Sequence, residues 1–307
     1  MIRSVLIVLS LLAILSSLIQ LTSHKPITIK LIESPDQLAI LFLTISLSLL
    51  FLFVFLITPE TFSRLSKEDN LIEWCSMGLV LGGSIVFSIS LFQLKKKHKT
   101  LNFVKIILIL FALLFFLTAM EEISWFQRVL DFKTPNSFSR NYQNEFNIHN
   151  FVTNYAENAY YFSTFIYFGI IPFIWRVINS EIQSFAVKML LPKPYLILIC
   201  AIISAFNYDM WNIIFTQISF FGSVIILLLL IKYCTNNKEK ILSLLVIVIV
   251  VCTQYTFLIN GSNFKRYWEV TEYKEFFIAI ILFAYSISVF KNIKLTASSD
   301  IQAQYNR

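Results

Sequence analysis

Two adjacent carboxylates, Glu121 and Glu122, stand where the apolar run from Val104 to Met120 ends. An ionised carboxylate at hydrocarbon depth is costly, so such groups are paired or functional. The same holds for Glu73, about one helical turn inside another apolar run. If these carboxyls stay neutral they suit proton transfer and general acid or base work; if ionised they suit a cation. A little further along comes Gln143-Asn144-Glu145-Phe146-Asn147-Ile148-His149-Asn150, dense in hydrogen-bonding side chains. Glu73, Glu121, Glu122 and His149 are therefore the candidate catalytic groups. Arg128 and Trp125, with Glu145, Asn147 and Asn150, are the candidates for holding a substrate, and Asp209, Glu269 and Glu272 form a secondary set.

Helical spacing sharpens the pattern. Glu121, Ser124, Trp125 and Arg128 follow i, i+3, i+4, i+7, one stripe of a continuous helix, with Glu122 about 100° away. Asn70, Glu73, Trp74 and Met77 make a similar stripe. A single outer imidazole is a weak case for zinc, whereas carboxylate and amide oxygens suit a divalent cation such as Mg²⁺ or Ca²⁺, and whether one binds is left open. Nucleophilic catalysis has little to rest on: Ser124 has no base nearby in sequence, and Gly-x-Ser-x-Gly is absent. Phosphate-loop and His-Glu-x-x-His motifs are missing too. Cys75, Cys200, Cys234 and Cys252 are too far apart for a Cys-x-x-Cys site or a disulfide framework.

What must position these groups is a bundle of membrane helices. Of 307 residues, 57% are apolar and 14% charged, and the mean hydropathy is +0.72. The fold class is all-α, a polytopic transmembrane bundle. A span needs about 20 apolar residues, a rule that predicts about nine spans: Ile2 to Leu21, Leu38 to Ile57, Leu71 to Leu94, Phe103 to Trp125, Ala159 to Val177, Tyr195 to Phe206, Ile213 to Ile231, Ile241 to Ile259 and Phe276 to Phe290. If the first is a cleaved signal segment, eight remain. The chain reads as one transmembrane domain over 1–294, with an interfacial segment over 127–158 and a mobile cytoplasmic tail at 295–307.

The net charge of +7 lies in short loops, as the positive-inside rule requires, so membrane lipid and not nucleic acid is the expected partner. Oligomeric state is not readable. Placing the Lys-rich cluster at 95–99 in the cytoplasm puts the N-terminus outside and the C-terminus inside. The polar clusters then all fall on the outer face.

The Glu121-Glu122-Ile123-Ser124-Trp125-Phe126-Gln127-Arg128 run, with Thr134-Pro135 and the Gln143 to Asn150 segment, resembles a group of uncharacterised bacterial multi-pass membrane proteins. Their pattern reads Glu-Glu-Ile-Ser-Trp-Gly-Gln-Arg, then Thr-Pro, then Gln-x-Glu-x-Asn-x-His-Asn, and Phe126 replaces the usual Gly. The resemblance implies a bacterial cytoplasmic (inner) membrane location and supplies no activity. A narrower similarity is to the CAAX-processing and bacteriocin-immunity family of intramembrane glutamate proteases, which carry Glu-Glu-x-x-x-Arg, Phe-x-x-x-His and His-x-x-x-Asn. Glu121 and Glu122 match it. Arg128 falls two residues late, Phe146 to His149 is one residue short, and no second outer His is present.

Three functions fit this pattern. The first is a hydrolase or transferase acting on a lipid or lipid-linked substrate at the outer leaflet. The second is a non-enzymatic membrane assembly or binding protein. The third is a proton- or cation-coupled transporter, for which spans five to nine offer few mid-membrane polar groups.

Overall fold

The computed structural model describes residues 2–22, 28–97, 102–138, 140–141, 145–178 and 185–305. The described chain is helical: α1 (Ile2–Thr22), α2 (Pro35–Ile57), α3 (Pro59–Leu65), α4 (Leu71–Lys97), α5 (Asn102–Glu122), α6 (Gln127–Leu130), α7 (Thr153–Phe165), α8 (Ile171–Ile178), α9 (Phe185–Leu190), α10 (Tyr195–Ile203), α11 (Ile214–Tyr233), α12 (Asn237–Ile259) and α13 (Glu269–Tyr305). In lipid every backbone amide needs an internal partner, which makes the apolar runs helices. Local chemistry sets their ends. Pro35 opens α2 in the position where a missing N–H costs nothing, and Pro59 closes it by starting α3. The Asn236 side chain caps α12 by accepting from Lys238 N at 2.9 Å.

Six of these helices are long and apolar enough to cross a membrane: α2, α11 and α12 in full, α4 and α13 as far as Leu94 and Lys294, and α5. The protein is a multi-pass membrane protein. The other three expected spans take different forms. Ile2 to Leu21 lies within α1. Ala159 to Val177 falls on α7 and α8, joined by a π-helical turn at Ile166–Ile170. Tyr195 to Phe206 is corrected: its helix, α10, has nine residues, about 13 Å at 1.5 Å per residue, under half of a hydrocarbon core about 30 Å thick. α13 also continues as far as Tyr305, through the segment expected as tail.

The chain packs as two compact units. Hydropathy marks no boundary between them, because both are built of the same apolar helices. The first comprises Met1–Ile72, Asn154–Ser180 and Lys193–Ile278. At its centre every residue of α10 is buried, enclosed by α2, α11, α12 and the π turn. Past Ser204 the backbone leaves the helix while still buried, through Ala205, Phe206 and Asn207, to a 3₁₀ turn at Asp209–Asn212. Irregular backbone at depth must find partners within the protein. Here Gln254 Nε2 donates to the Asn207 carbonyl at 2.7 Å, and Asn207 Nδ2 donates to the Ser204 carbonyl.

The second unit comprises Glu73–Thr153, Glu181–Pro192 and Ala279–Arg307. Phe87, Phe111, Phe115 and Tyr285 form an aromatic cluster with ring centroids 5.1 to 6.4 Å apart. Gly83 admits Phe115 to the surface of α4: a Cβ there would lie 2.8 Å from the ring.

Candidate functional site: a polar knot and a lysine recess

In the second unit, α5 ends at Glu122 and the chain turns through Ser124, Trp125 and Phe126 with φ of 47°, 55° and 61°. These three left-handed residues are not glycine and cost roughly 1–2 kcal/mol each. The expected helical stripe of Glu121, Ser124, Trp125 and Arg128 is therefore corrected. The left-handed turn ends the helical register, and these side chains meet through loop geometry instead.

Trp125 Nε1 donates to Glu121 Oε1 at 2.8 Å, and Glu121 Oε2 accepts from Ile148 N at 2.6 Å. Glu145 is the hub. Arg128 Nη2 donates to it, as do Ser124 Oγ at 2.7 Å and Asn147 Nδ2 at 3.0 Å. Gln127 donates to Thr134 Oγ1 at 2.7 Å and accepts from Phe146 N, while the Asn141 amide holds the carbonyls of Glu145 and Asn147. Phe146 packs beneath, 4.7 Å from Phe138. The knot thus recruits the groups expected to bind substrate, Arg128, Trp125, Glu145 and Asn147, into one another.

Glu73, half-buried at the start of α4, adjoins Trp74, whose ring lies 6.3 Å from Phe126. Glu122 is half-buried at the last residue of α5, and Asn150 is buried. His149 begins a 3₁₀ turn directly after Ile148, which binds Glu121, so the backbone brings these two segments together. The His149 side chain lies outside the described residues. One acceptor in the knot, Asn147 Oδ1, is buried without a hydrogen-bond partner. Among the described residues, no group of three His, Cys, Asp or Glu side chains is placed to hold a metal ion.

The secondary candidates lie in the first unit, beside a recess that sequence reasoning did not find. Asn158, Tyr161, Phe162 and Phe165 of α7 follow the i, i+3, i+4, i+7 rule and line one wall. Cys200, Ile203 and Ser204 at the end of α10 and Phe215, Thr216 and Ser219 of α11 line others. Lys274 of α13 reaches in from the side.

Lys274 is 4% exposed; its ammonium donates to Asn207 Oδ1 at 2.6 Å and lies 4.2 Å from the centre of the Tyr161 ring. No carboxylate is within ion-pair distance of it among the described residues. An ammonium has three donors, so this one is under-satisfied in a site where desolvation is expensive.

Carboxylates stand around it at longer range. Glu275 accepts from Tyr161 Oη, and Asp209 Oδ1 accepts from Thr271 Oγ1 at 2.9 Å. Burial, then Glu275 and Asp209, push the Glu157 carboxyl up to about 8. Burial likewise raises Asp209, against the Thr271 bond. Glu269 is fully buried, with one oxygen accepting from Lys265 N at 3.2 Å and the other unpartnered; Glu272, one turn on, is half-buried.

The residues missed by sequence reasoning are Lys274, Asn207, Tyr161 and Glu157. Lys274 reads as one of several charges flanking an apolar run. The available signal was the shortness of the Tyr195 to Phe206 run followed by Asn207 and Asp209, the signature of a broken helix. Compared with protein-family models, with curated proteins and with solved structures, the chain matches none of them.

Proposed function

We propose that this protein is a multi-pass protein of a bacterial cytoplasmic membrane that binds a lipid or lipid-linked amphiphile in the recess of its first unit. The placement of Glu121, Glu122 and the 145–150 segment on the outer face belongs to the same reading. The observation that carries it is Lys274: a buried ammonium with one hydrogen bond, lining a cavity whose walls are phenyl rings and hydroxyls. The cavity is about 20 Å³, room for one water-sized group, so a ligand would place a single acceptor group beside Lys274 while its apolar part lies outside, along Phe162 and Phe215 at the margin. Phe215 is 45% exposed, so the recess has an apolar margin.

The test is native mass spectrometry of the detergent-solubilised chain with defined phospholipids. Wild type is expected to retain bound phospholipid, and Lys274→Gln to lose it at least tenfold, the effect of about 1.4 kcal/mol. Equal retention by both proteins counts against the recess as the seat.

A second reading, a hydrolase or transferase centred on Glu121, Glu122 and His149, is favoured by the strained turn at Ser124–Phe126, since such strain clusters at functional sites. The same turn fits the resemblance, because Phe126, at φ 61°, stands where that pattern carries Gly. Unchanged membrane lipids in well-folded Glu121→Gln and His149→Ala variants would exclude lipid chemistry at the knot.

A further inference from the structure

Composition alone places an interfacial segment over 127–158; the packing of the second unit adds its depth and its facing. After the left-handed turn at Ser124–Phe126, Trp125 folds back against α5. Its ring lies 6.2 Å from that of Phe116, a residue about 9 Å down the helix from Glu122 at 1.5 Å per residue. Phe146 packs on Trp125 at 6.4 Å, and Phe132 and Phe138 pack on Phe146 at 6.0 and 4.7 Å. Glu121, itself within the membrane-crossing length of α5, holds the amide of Ile148. The loops of the knot therefore lie beside the end of the span, not above it.

For a segment in water the knot is also inside-out. Ser124, Gln127, Asn141, Asn147 and Asn150 are buried, whereas Val129, Leu130, Phe132, Ile148, Phe151 and Val152 are 36 to 69% exposed. Water favours the opposite arrangement. Irregular backbone at membrane depth, by contrast, must be satisfied from within, and here Gln127 and Asn141 hold the amides of Phe146 and Glu145 and the carbonyls of Glu145 and Asn147. The exposed apolar rim continues the lipid-facing side of α5, where Leu113, Phe116 and Leu117 are 40 to 54% exposed. Asp131, Lys133 and Arg140 are exposed too, which holds the segment at the headgroup boundary.

From this arrangement we propose that the knot is seated in one leaflet of the bilayer, its apolar rim among the acyl chains and Lys133 and Arg140 level with the headgroup phosphates. The inference does not depend on the lysine recess. It gives the second reading above a route of approach: a lipid-linked substrate would reach Glu121 and Glu122 sideways from the bilayer, not from water.

Photo-crosslinking of the full chain in phospholipid nanodiscs tests the seat, with p-benzoylphenylalanine in place of Leu130 or Ile148 and mass spectrometry of the adducts. Leu113 on α5 is the lipid-facing control, and Lys67, exposed in a polar loop, is the aqueous one. Acyl-chain adducts at Leu130 and Ile148 are expected at the level of Leu113 and at least about tenfold above Lys67. Yields no higher than at Lys67 would overturn the seat. Covalent dimers in place of lipid adducts would make the rim an interface between two copies and overturn lipid as its occupant. Hydroxyl-radical footprinting of wild type in the same nanodiscs needs no substitution: Phe132 and Phe151 should escape oxidation although the protein itself leaves both rings exposed, and oxidation of both would overturn the proposal.

Discussion

Replacing Arg128 by Ala and Glu145 by Gln, singly and together, separates a structural knot from a substrate-binding one. Glu145 is 12% exposed at its side chain and Arg128 30%, so the pair is largely shielded yet reached by water on the Arg side. Removing one partner of a fully buried pair costs about 3–5 kcal/mol; with Arg128 partly solvated, Arg128→Ala should cost about 2–3 kcal/mol. Glu145→Gln keeps the shape and loses the charge-assisted bond, at about 2 kcal/mol. With both changed, no unpaired charge is left, so the double variant should cost about 2–3 kcal/mol in total, a coupling of about 2 kcal/mol. The three left-handed residues beside the pair cost about 3–6 kcal/mol together, which the knot must offset, and this sets the scale. Equilibrium unfolding of the detergent-solubilised protein by SDS titration measures all four states. Additive costs, or an Arg128→Ala variant within about 0.5 kcal/mol of wild type, would refute the reasoning. They would mean that the Arg128–Glu145 pair does not hold the knot together.

Glu157 gives a pH prediction. Its folded value of about 8 lies above the ordinary 4.5, so between those limits the folded state keeps a proton that the unfolded state releases. Stability should therefore fall as pH rises from about 4.5 to about 8, by up to about 1.4 kcal/mol per pH unit, and level off above. Glu157→Gln should flatten that slope in unfolding midpoints taken from pH 5 to 9, and a slope unchanged in the variant would contradict the assignment. Two glycines should respond oppositely to Ala. At Gly222 a Cβ would lie 2.6 Å from the Phe165 ring, whereas at Gly78 it meets nothing within 4 Å. Gly222→Ala is expected to lose about 1–3 kcal/mol by overpacking, and Gly78→Ala to gain up to about 1 kcal/mol from helix propensity, both read in the same unfolding assay. A stable Gly222→Ala protein would show that Phe165, a wall of the recess, can move aside.

Class was legible in the linear chain, because the need to satisfy every amide in lipid converts apolar runs into helices regardless of what surrounds them. So was the density of polar groups over 121–150, since composition reports it directly. Helical periodicity misled at Ser124 to Arg128. It assumes a continuous helix, and the left-handed turn there is held by Glu145 and Asn147, twenty or so positions away.

Lys274 was invisible for the same reason. A residue number says how near a lysine stands to the next apolar run, not that α7, α10 and α11 enclose its head with Asn207 at 2.6 Å. The amino-acid order determined that this protein crosses a membrane and where its charges gather. Only the packing decided which charge was left short of partners, because desolvation and hydrogen-bond satisfaction depend on neighbours that distant segments supply.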